Sequence, residues 1–315
     1  MYWLLVLVIF LLILTITWHT LRKIKIGNIS SRYVLVTGCD SGFGNWLTKQ
    51  LDLLGFHVFA GCLTQAGVES VKSECSDKVL AIQMDISNDE SIKQTIEVIR
   101  KKIPSEKGLW AVVNNAGIIG SIGPSTWQTR QDYNNTMAVN LYGVIMVTKA
   151  CMPLVLKEHG RIINTASIMG RFAFVDPSYC VSKYGVEAFS DVLRREIYRS
   201  GVSVHIIEPG FYRTPLMDRE SYRQKLNNKI KQLPEDVEES LPCNFADMMM
   251  RGRDTFLEKV ASSKVNEVVE AYIDAIISQF PKSRYLVGFD AKFIFRPLSM
   301  LPEWISDWVI IKMLP

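Results

Sequence analysis

From Tyr33 onward the chain alternates two kinds of segment, and that alternation restricts the fold more than any other feature. Short runs rich in Val, Ile and Leu fall at 33–37, 57–62, 79–84, 109–114, 160–165, 202–208 and 284–288. Stretches suited to helices separate them, at 42–54, 65–75, 88–102, 129–157, 177–199 and 263–280. The apolar runs do not alternate cleanly with polar residues, which predicts strands buried on both faces. Strands and helices in turn over this length predict an α/β fold with a doubly wound parallel sheet. Ligands of such sheets bind beyond the carboxyl ends of the strands, where the strand order reverses. The 315 residues suffice for one large domain with a sizeable core.

Residues able to do chemistry fall at those strand ends. After the first strand comes Thr37-Gly38-Cys39-Asp40-Ser41-Gly42-Phe43-Gly44. Gly38, Gly42 and Gly44 let backbone approach a pyrophosphate at a helix N-terminus, where free N–H groups and the dipole favour anions. Ser41 adds a hydroxyl for phosphate or ribose. Asn114-Asn115-Ala116-Gly117 ends the fourth strand, Ser167 follows the fifth, and Glu208-Pro209-Gly210 ends the sixth. Tyr179 and Lys183, four residues apart, share one face of a helix. A free tyrosine holds its proton at neutral pH, since its pKa is about 10. A nearby ammonium favours phenolate. Lowering the pKa by about 3 units needs roughly 4 kcal/mol, which one close cation in a dry site, with a charged cofactor ring, would supply. Alone, a Tyr/Lys pair at this spacing is more often a solvated helix face.

Taken together these stretches resemble the short-chain dehydrogenase/reductase family, with its TGxxxGxG, NNAG, Asn, Ser and YxxxK signatures in order. The resemblance covers about 33–214. Longer strings extend it over nearly the whole chain, toward the membrane-bound retinol and hydroxysteroid dehydrogenases: Cys62-Leu63-Thr64, Lys107-Gly108-Leu109-Trp110, the run from Lys183 to Ser190, and Gly288-Phe289-Asp290-Ala291-Lys292. The resemblance implies a Rossmann-like domain over 30–290 and a catalytic set of Asn140, Ser167, Tyr179 and Lys183. Ser167 would bind the substrate oxygen. Asn140 would hold a water linked to Lys183, although a polar amide in Met137-Ala138-Val139-Asn140-Leu141 also fits an ordinary buried Asn bonded to backbone. Gly38, Ser41, Gly42, Gly44, Asp85, Asn114, Tyr179, Lys183 and Thr214 would bind cofactor. Asp85 fits an adenine contact and a turn acid equally well. Thr214 fits a nicotinamide contact or an N-cap before Pro215.

NAD sites usually carry an acid about 20 residues past the glycines. Here Ala60-Gly61-Cys62-Leu63-Thr64 offers no acid, and no Arg or Lys for the 2′-phosphate of NADP. Asp40, inside the glycine loop, would repel that phosphate. The balance favours NAD over NADP.

Residues 2–18 are almost wholly apolar, and Arg22, Lys23 and Lys25 follow them. Basic residues after the run, not before it, predict an uncleaved membrane anchor over 1–25 with the domain on the cytosolic side. The resemblance then implies the endoplasmic reticulum membrane. Residues 215–262 break the α/β pattern with Pro215, Pro234, Pro242 and many charges. They read as short helices forming a substrate lid, or as a solvated insertion. The segment 291–315 is too broken by Pro297, Pro302, Glu303 and Asp307 to span a bilayer. From about Glu303 it suits an interfacial amphipathic helix, or one whose apolar face meets the core or a homodimer partner.

Net charge is +4, and no basic stripe with interleaved aromatics suggests nucleic acid. The six cysteines and four histidines have no metal-ligand spacing. The expected activity is a membrane-anchored, NAD-dependent dehydrogenase of a hydrophobic alcohol, a retinol or a hydroxysteroid. An NADPH-driven carbonyl reductase and a non-catalytic dinucleotide-binding scaffold are the alternatives.

Overall fold

The computed structural model describes residues 2–313. Met1, at the head of the expected anchor, and Leu314 and Pro315, at the end of the C-terminal segment, lie outside the described residues. Helix α1 is Tyr2–Leu21. The domain then runs β1 Tyr33–Thr37, α2 Gly42–Leu53, β2 His57–Cys62, α3 Gln65–Glu74, β3 Val79–Gln83, α4 Asp89–Lys102 and β4 Ala111–Asn114. It continues with α5 Arg130–Met137, a π-helical segment Ala138–Gly143, α6 Val144–Lys157, β5 Arg161–Thr165, α7 Pro177–Glu196 and β6 Ser203–Pro209. Helices α8 Arg219–Ile230, α9 Glu235–Glu239 and α10 Phe245–Val260 precede α11 Asn266–Ile277 and β7 Arg284–Val287. Two short helices, α12 Arg296–Leu298 and α13 Glu303–Met313, end the chain.

The seven strands form one parallel sheet in the order β3-β2-β1-β4-β5-β6-β7. The order reverses between β1 and β4, which pair Val36 with Val113. All seven expected strands are present within two residues of their expected ends. Their composition follows from burial on both faces. Val34 and Val36 turn toward α2 and α11, against Leu47, Leu51, Val268 and Tyr272. Leu35 turns the other way, toward α4 and α6, with Ile96, Ile99, Val147 and Val155. A strand sandwiched between helix layers has no polar face to show.

Two local rules set the helices that carry the site. Pro177 occupies the first turn of α7, where its missing N–H costs nothing. Thr129 and Asp132 form a capping box at the start of α5. The expected single helix over 129–157 is interrupted by the π-helical segment, which holds Asn140. The run Arg130–Lys157 contains an 18-residue stretch apolar enough to cross a membrane, with mean hydropathy 1.6. It packs instead on β4 and β5 as a core helix.

The segment 215–262 is folded against the domain. Leu226 of α8 and Met250 of α10 meet buried Ile122, with Trp127 and Tyr222 around them. Lys229 of α8, itself buried, pairs with Asp132 of α5 at 2.5 Å. The chain leaving α1 is tied to the domain too. Arg22 pairs with Asp274 at 2.7 Å, and the Ile26 N–H donates to the Ile277 carbonyl at 2.8 Å. Helix α13 turns Ser306 and Ile310 inward and leaves Trp304 and Trp308 74% and 65% exposed, so these tryptophans are not core residues.

Candidate active site

Two loops meet at the switch point. Gly38 has φ 71°, and a Cβ there would stand 2.7 Å from the Ala116 Cα. A Cβ on Gly44 would overlap the Gly38 carbonyl oxygen. The loops are therefore pressed together with no room for side chains, and hydrogen bonds lock them. The Asn115 side-chain amide donates to the carbonyls of Thr37 at 2.9 Å and Gly38 at 3.1 Å. The Thr37 hydroxyl oxygen accepts from the N–H groups of Asn115 and Ala116, both at 3.1 Å. Ser41 caps α2 without a side-chain cap bond, and no acid lies in the first turn. That N-terminus suits an anion.

A groove runs over these loops, lined by Gly38, Ser41, Gly42, Asp85 and Thr214 among others. Asp85 also serves its turn, accepting from the Ser87 N–H at 2.9 Å. The Thr214 side chain makes no cap bond to the short turn Pro215–Met217 and lines the groove instead. Asn114 does not line it. Its amide donates to the Thr148 hydroxyl at 2.9 Å and to Asn164 Oδ1 at 2.8 Å, inside the sheet. The expectation that Asn114 contacts cofactor is corrected: strand alternation turns it toward α6 and gives the groove its neighbour Asn115.

Asp40 has a specific seat. Its carboxylate accepts from the N–H groups of Leu63 at 2.7 Å and Thr64 at 2.9 Å, and from the Thr64 hydroxyl at 2.7 Å. The acid missing from the end of β2 in the sequence is thus supplied to that place by the glycine loop.

Ser167, Tyr179 and Lys183 line a second cleft that shares Thr214 and Gly117 with the vicinity of the groove. Ser167 lies two residues past β5 and accepts from the Met169 N–H at 3.1 Å. Lys183 is buried, and its Nζ donates to the Thr165 carbonyl at 2.8 Å. That Nζ lies 5.5 Å from the centre of the Tyr179 ring. Asn140 Oδ1 accepts from the Ile118 N–H and its amide donates to the Ile118 carbonyl, both at 2.8 Å. The same amide reaches the Ser182 hydroxyl at 3.1 Å. The side chain of Asn140 is therefore fully engaged with protein, as the backbone-bonded alternative expects. It still meets Lys183 across Gly117, where a Cβ would lie 3.3 Å from Asn140 Oδ1 and 3.6 Å from Lys183 Nζ.

Electrostatics run against one expectation. Burial pushes the Tyr179 phenol up to about 12, with the Ser167 hydroxyl opposing. Burial also lowers the Lys183 ammonium to about 8, with Glu187 opposing. The expected lowering of the phenol is absent from the protein alone. Drying the site costs the phenolate more than the Ser167 hydrogen bond returns.

Sequence reasoning also missed Asn115, Asp176 and Phe211. Asn115 stood inside the quoted NNAG stretch. Phe211, Leu216 and Met217 form an apolar wall of the cleft that no motif marks. Behind it lies an aromatic cluster in which Phe211 meets Phe256 at 5.2 Å and Phe174 stacks on Phe295 at 5.1 Å.

Comparison with known proteins agrees with this geometry. The family described as short chain dehydrogenase matches residues 32–225. "Retinol dehydrogenase 7" of Rattus norvegicus is 40% identical over 306 residues, 96% of each chain. "17-beta-hydroxysteroid dehydrogenase type 6" of Homo sapiens is 39% identical over 298 residues, 95% of this chain and 93% of that one. A solved short-chain dehydrogenase from Streptomyces avermitilis superposes with a TM-score of 0.65 at 20% identity, over 89% of this chain and 97% of that one. The chain belongs to the short-chain dehydrogenase/reductase family, in its retinol and hydroxysteroid dehydrogenase group. It is an oxidoreductase that moves hydride between an alcohol carbon and a nicotinamide dinucleotide.

Proposed function

We propose that this enzyme oxidises a retinoid or steroid alcohol with NAD, drawing its substrate from a membrane. One observation carries the reading. Ser167 and Tyr179 stand in a cleft whose far wall is Phe211, Leu216 and Met217, beside a groove in which Asp40 is fastened to the end of β2. The groove's glycine cradle and bare helix N-terminus fit a dinucleotide pyrophosphate. Gly38, Ser41, Gly42, Gly44, Asn115 and Thr214 would hold it, with Lys183 on the nicotinamide side. When bound, the nicotinamide supplies the hydride acceptor and a positive charge beside the phenol. Tyr179 takes the hydroxyl proton, and Ser167 donates a hydrogen bond to the forming alkoxide. Lys183 keeps the phenol's surroundings cationic at neutral pH and below, while its ammonium survives. Asn140 acts by fixing the Ile118 backbone next to Gly117. The fixed Asp40 carboxylate favours the free ribose hydroxyl of NAD over the phosphate of NADP.

The helices of 215–262 form the lid, with Leu216 and Met217 as its inner edge. Helix α1 has 20 residues, about 30 Å, the thickness of a bilayer's hydrocarbon core. Arg22, Lys23 and Lys25 after it favour a cytosolic domain, and we infer residence in the endoplasmic reticulum membrane. Trp304, Trp308, Phe289 and Phe293, exposed on the C-terminal side, suit an interfacial seat beside that anchor. Purified enzyme assayed on retinol and a hydroxysteroid, with NAD and NADP separately, tests the reading. Preference for NADP or failure on both alcohols sinks it. Fractionation of a variant lacking 1–25, with and without Trp304→Glu and Trp308→Glu, tests the membrane. Complete solubility on truncation alone removes the second seat.

A further inference from the structure

Asp176 stands directly before α7, three residues ahead of Tyr179, in a left-handed conformation uncommon for residues other than glycine, asparagine and aspartate. Its φ of 48° and ψ of 70° are left-handed, one of three such non-glycine residues among those described. Pro177 follows, and the residue before a proline is already barred from the helical region. Outliers of this kind persist where the surroundings over-determine them, and they cluster at functional sites.

An aspartate at a helix N-cap normally turns its carboxylate onto the first free N–H groups. Asp176 does not: only its backbone carbonyl serves the helix, accepting from the Cys180 N–H at 3.0 Å, and its side chain makes no cap bond. The side chain instead lines the cleft that holds Ser167 and Tyr179. Among the described residues it has no hydrogen bond, and no cation within ion-pair distance. Burial pushes its acid up to about 6, while Arg253 of α10 and Lys225 of α8 pull the other way, so at neutral pH it is largely a carboxylate. Across the lid, the buried Nε of Arg253 also lacks a partner. The wall therefore carries one acceptor that no group of the described residues bonds, although Arg253, Lys225 and the Tyr222 phenol lie near enough to feel its charge. A substrate whose only polar group is the reacting hydroxyl would bury that acceptor unpaired.

We propose that Asp176 is a specificity-determining residue that accepts a hydrogen bond from a second hydroxyl of the substrate. The preferred substrate class is then an apolar alcohol with two hydroxyls, such as a dihydroxysteroid, over one with a single hydroxyl, such as retinol. The inference rests on the proposed dehydrogenase site and refines its substrate.

The test measures kcat/KM of full-length enzyme in detergent with NAD. Its probes are a 3,17-dihydroxysteroid, each of the two monohydroxy analogues, and retinol. Wild type should favour the diol over the better mono-alcohol by about tenfold or more, because a buried group left unpaired discriminates strongly. Asp176→Gly keeps the left-handed backbone without strain and should bring that ratio to within about threefold of one. Asp176→Asn, which also tolerates this backbone and keeps an acceptor, should retain part of the preference. Equal use of diol and mono-alcohol by wild type overturns the proposal and leaves the dehydrogenase reading standing. A loss in Asp176→Gly shared equally by all four alcohols also overturns it, and assigns Asp176 to pairing with Arg253 of the lid. No turnover of any of the four by wild type overturns both readings.

Discussion

Replacing Asp40 by asparagine removes one charge and leaves the shape. In the wild type the carboxylate gathers two backbone N–H groups and one hydroxyl at 2.7–2.9 Å. An asparagine can offer one oxygen to these donors and must turn its amide toward another. Hydrogen bonds to a charged group contribute about 1.5–3 kcal/mol each when buried, and this half-exposed seat retains the lower part of that range. The turn into α3 should thus lose about 1–3 kcal/mol, a fall in Tm of several degrees for a domain of this size. The cofactor effect has a separate origin. A dianionic phosphate about 6 Å from a carboxylate, at an effective dielectric of about 60, is repelled by about 2 kcal/mol. Removing the carboxylate should therefore move the ratio of kcat/KM for NAD over NADP about 20-fold toward NADP. The assay is initial-rate oxidation at 50 mM salt, where screening is modest, repeated at 500 mM, where the difference should shrink. A folded Asp40→Asn enzyme whose ratio moves less than threefold would show that the carboxylate does not read the ribose.

Asn164→Leu should cost about 2–4 kcal/mol in thermal or denaturant unfolding, because it breaks bonds at 2.8 Å to both Asn114 and Ser190 and strands a buried amide donor. A cost below 1 kcal/mol would mean the network is not taut. Burial alone would raise the Asp132 acid, but Lys229 and Thr129 overcome it and hold it down to about 2. The stabilisation from that pair is complete above the unfolded value near 4 and is lost as pH falls through about 2. The Tm gap between wild type and Lys229→Met should accordingly stay constant from pH 7 to 5 and narrow toward pH 2. A gap that widens on acidification contradicts the pairing. Lys183→Arg should fail to support turnover, since a planar fork cannot occupy the seat of a buried ammonium on the Thr165 carbonyl; activity within tenfold of wild type would refute this.

The strands were legible because a residue buried between two helix layers leaves a plain mark in composition, as in Tyr33-Val34-Leu35-Val36. The glycine positions were legible for a similar reason: only backbone fits where Gly38 meets Ala116. Alternation within a strand decided Asn114 against Asn115, and a four-residue strand with no polar face carries no signal of which residue looks into the groove. The π-helical segment around Asn140 left no trace in spacing. The sign of the Tyr179 shift depends on how dry the site is, and burial is a property of the whole fold. The seat of Asp40 at the end of β2 joins residues 23 and 24 positions apart, and no local pattern announces it.

The assignment of Tyr179 as the base is tested by Tyr179→Phe, with turnover and dinucleotide binding measured on the same preparation. The ring stays and fills its place among Met169, Phe211 and the aromatic cluster, so NAD should bind within about threefold of wild type. The proton acceptor goes, so kcat for alcohol oxidation should fall by at least about a hundredfold, the lower bound for loss of general base catalysis. Residual kcat within tenfold of wild type, with NAD binding intact, would contradict the account.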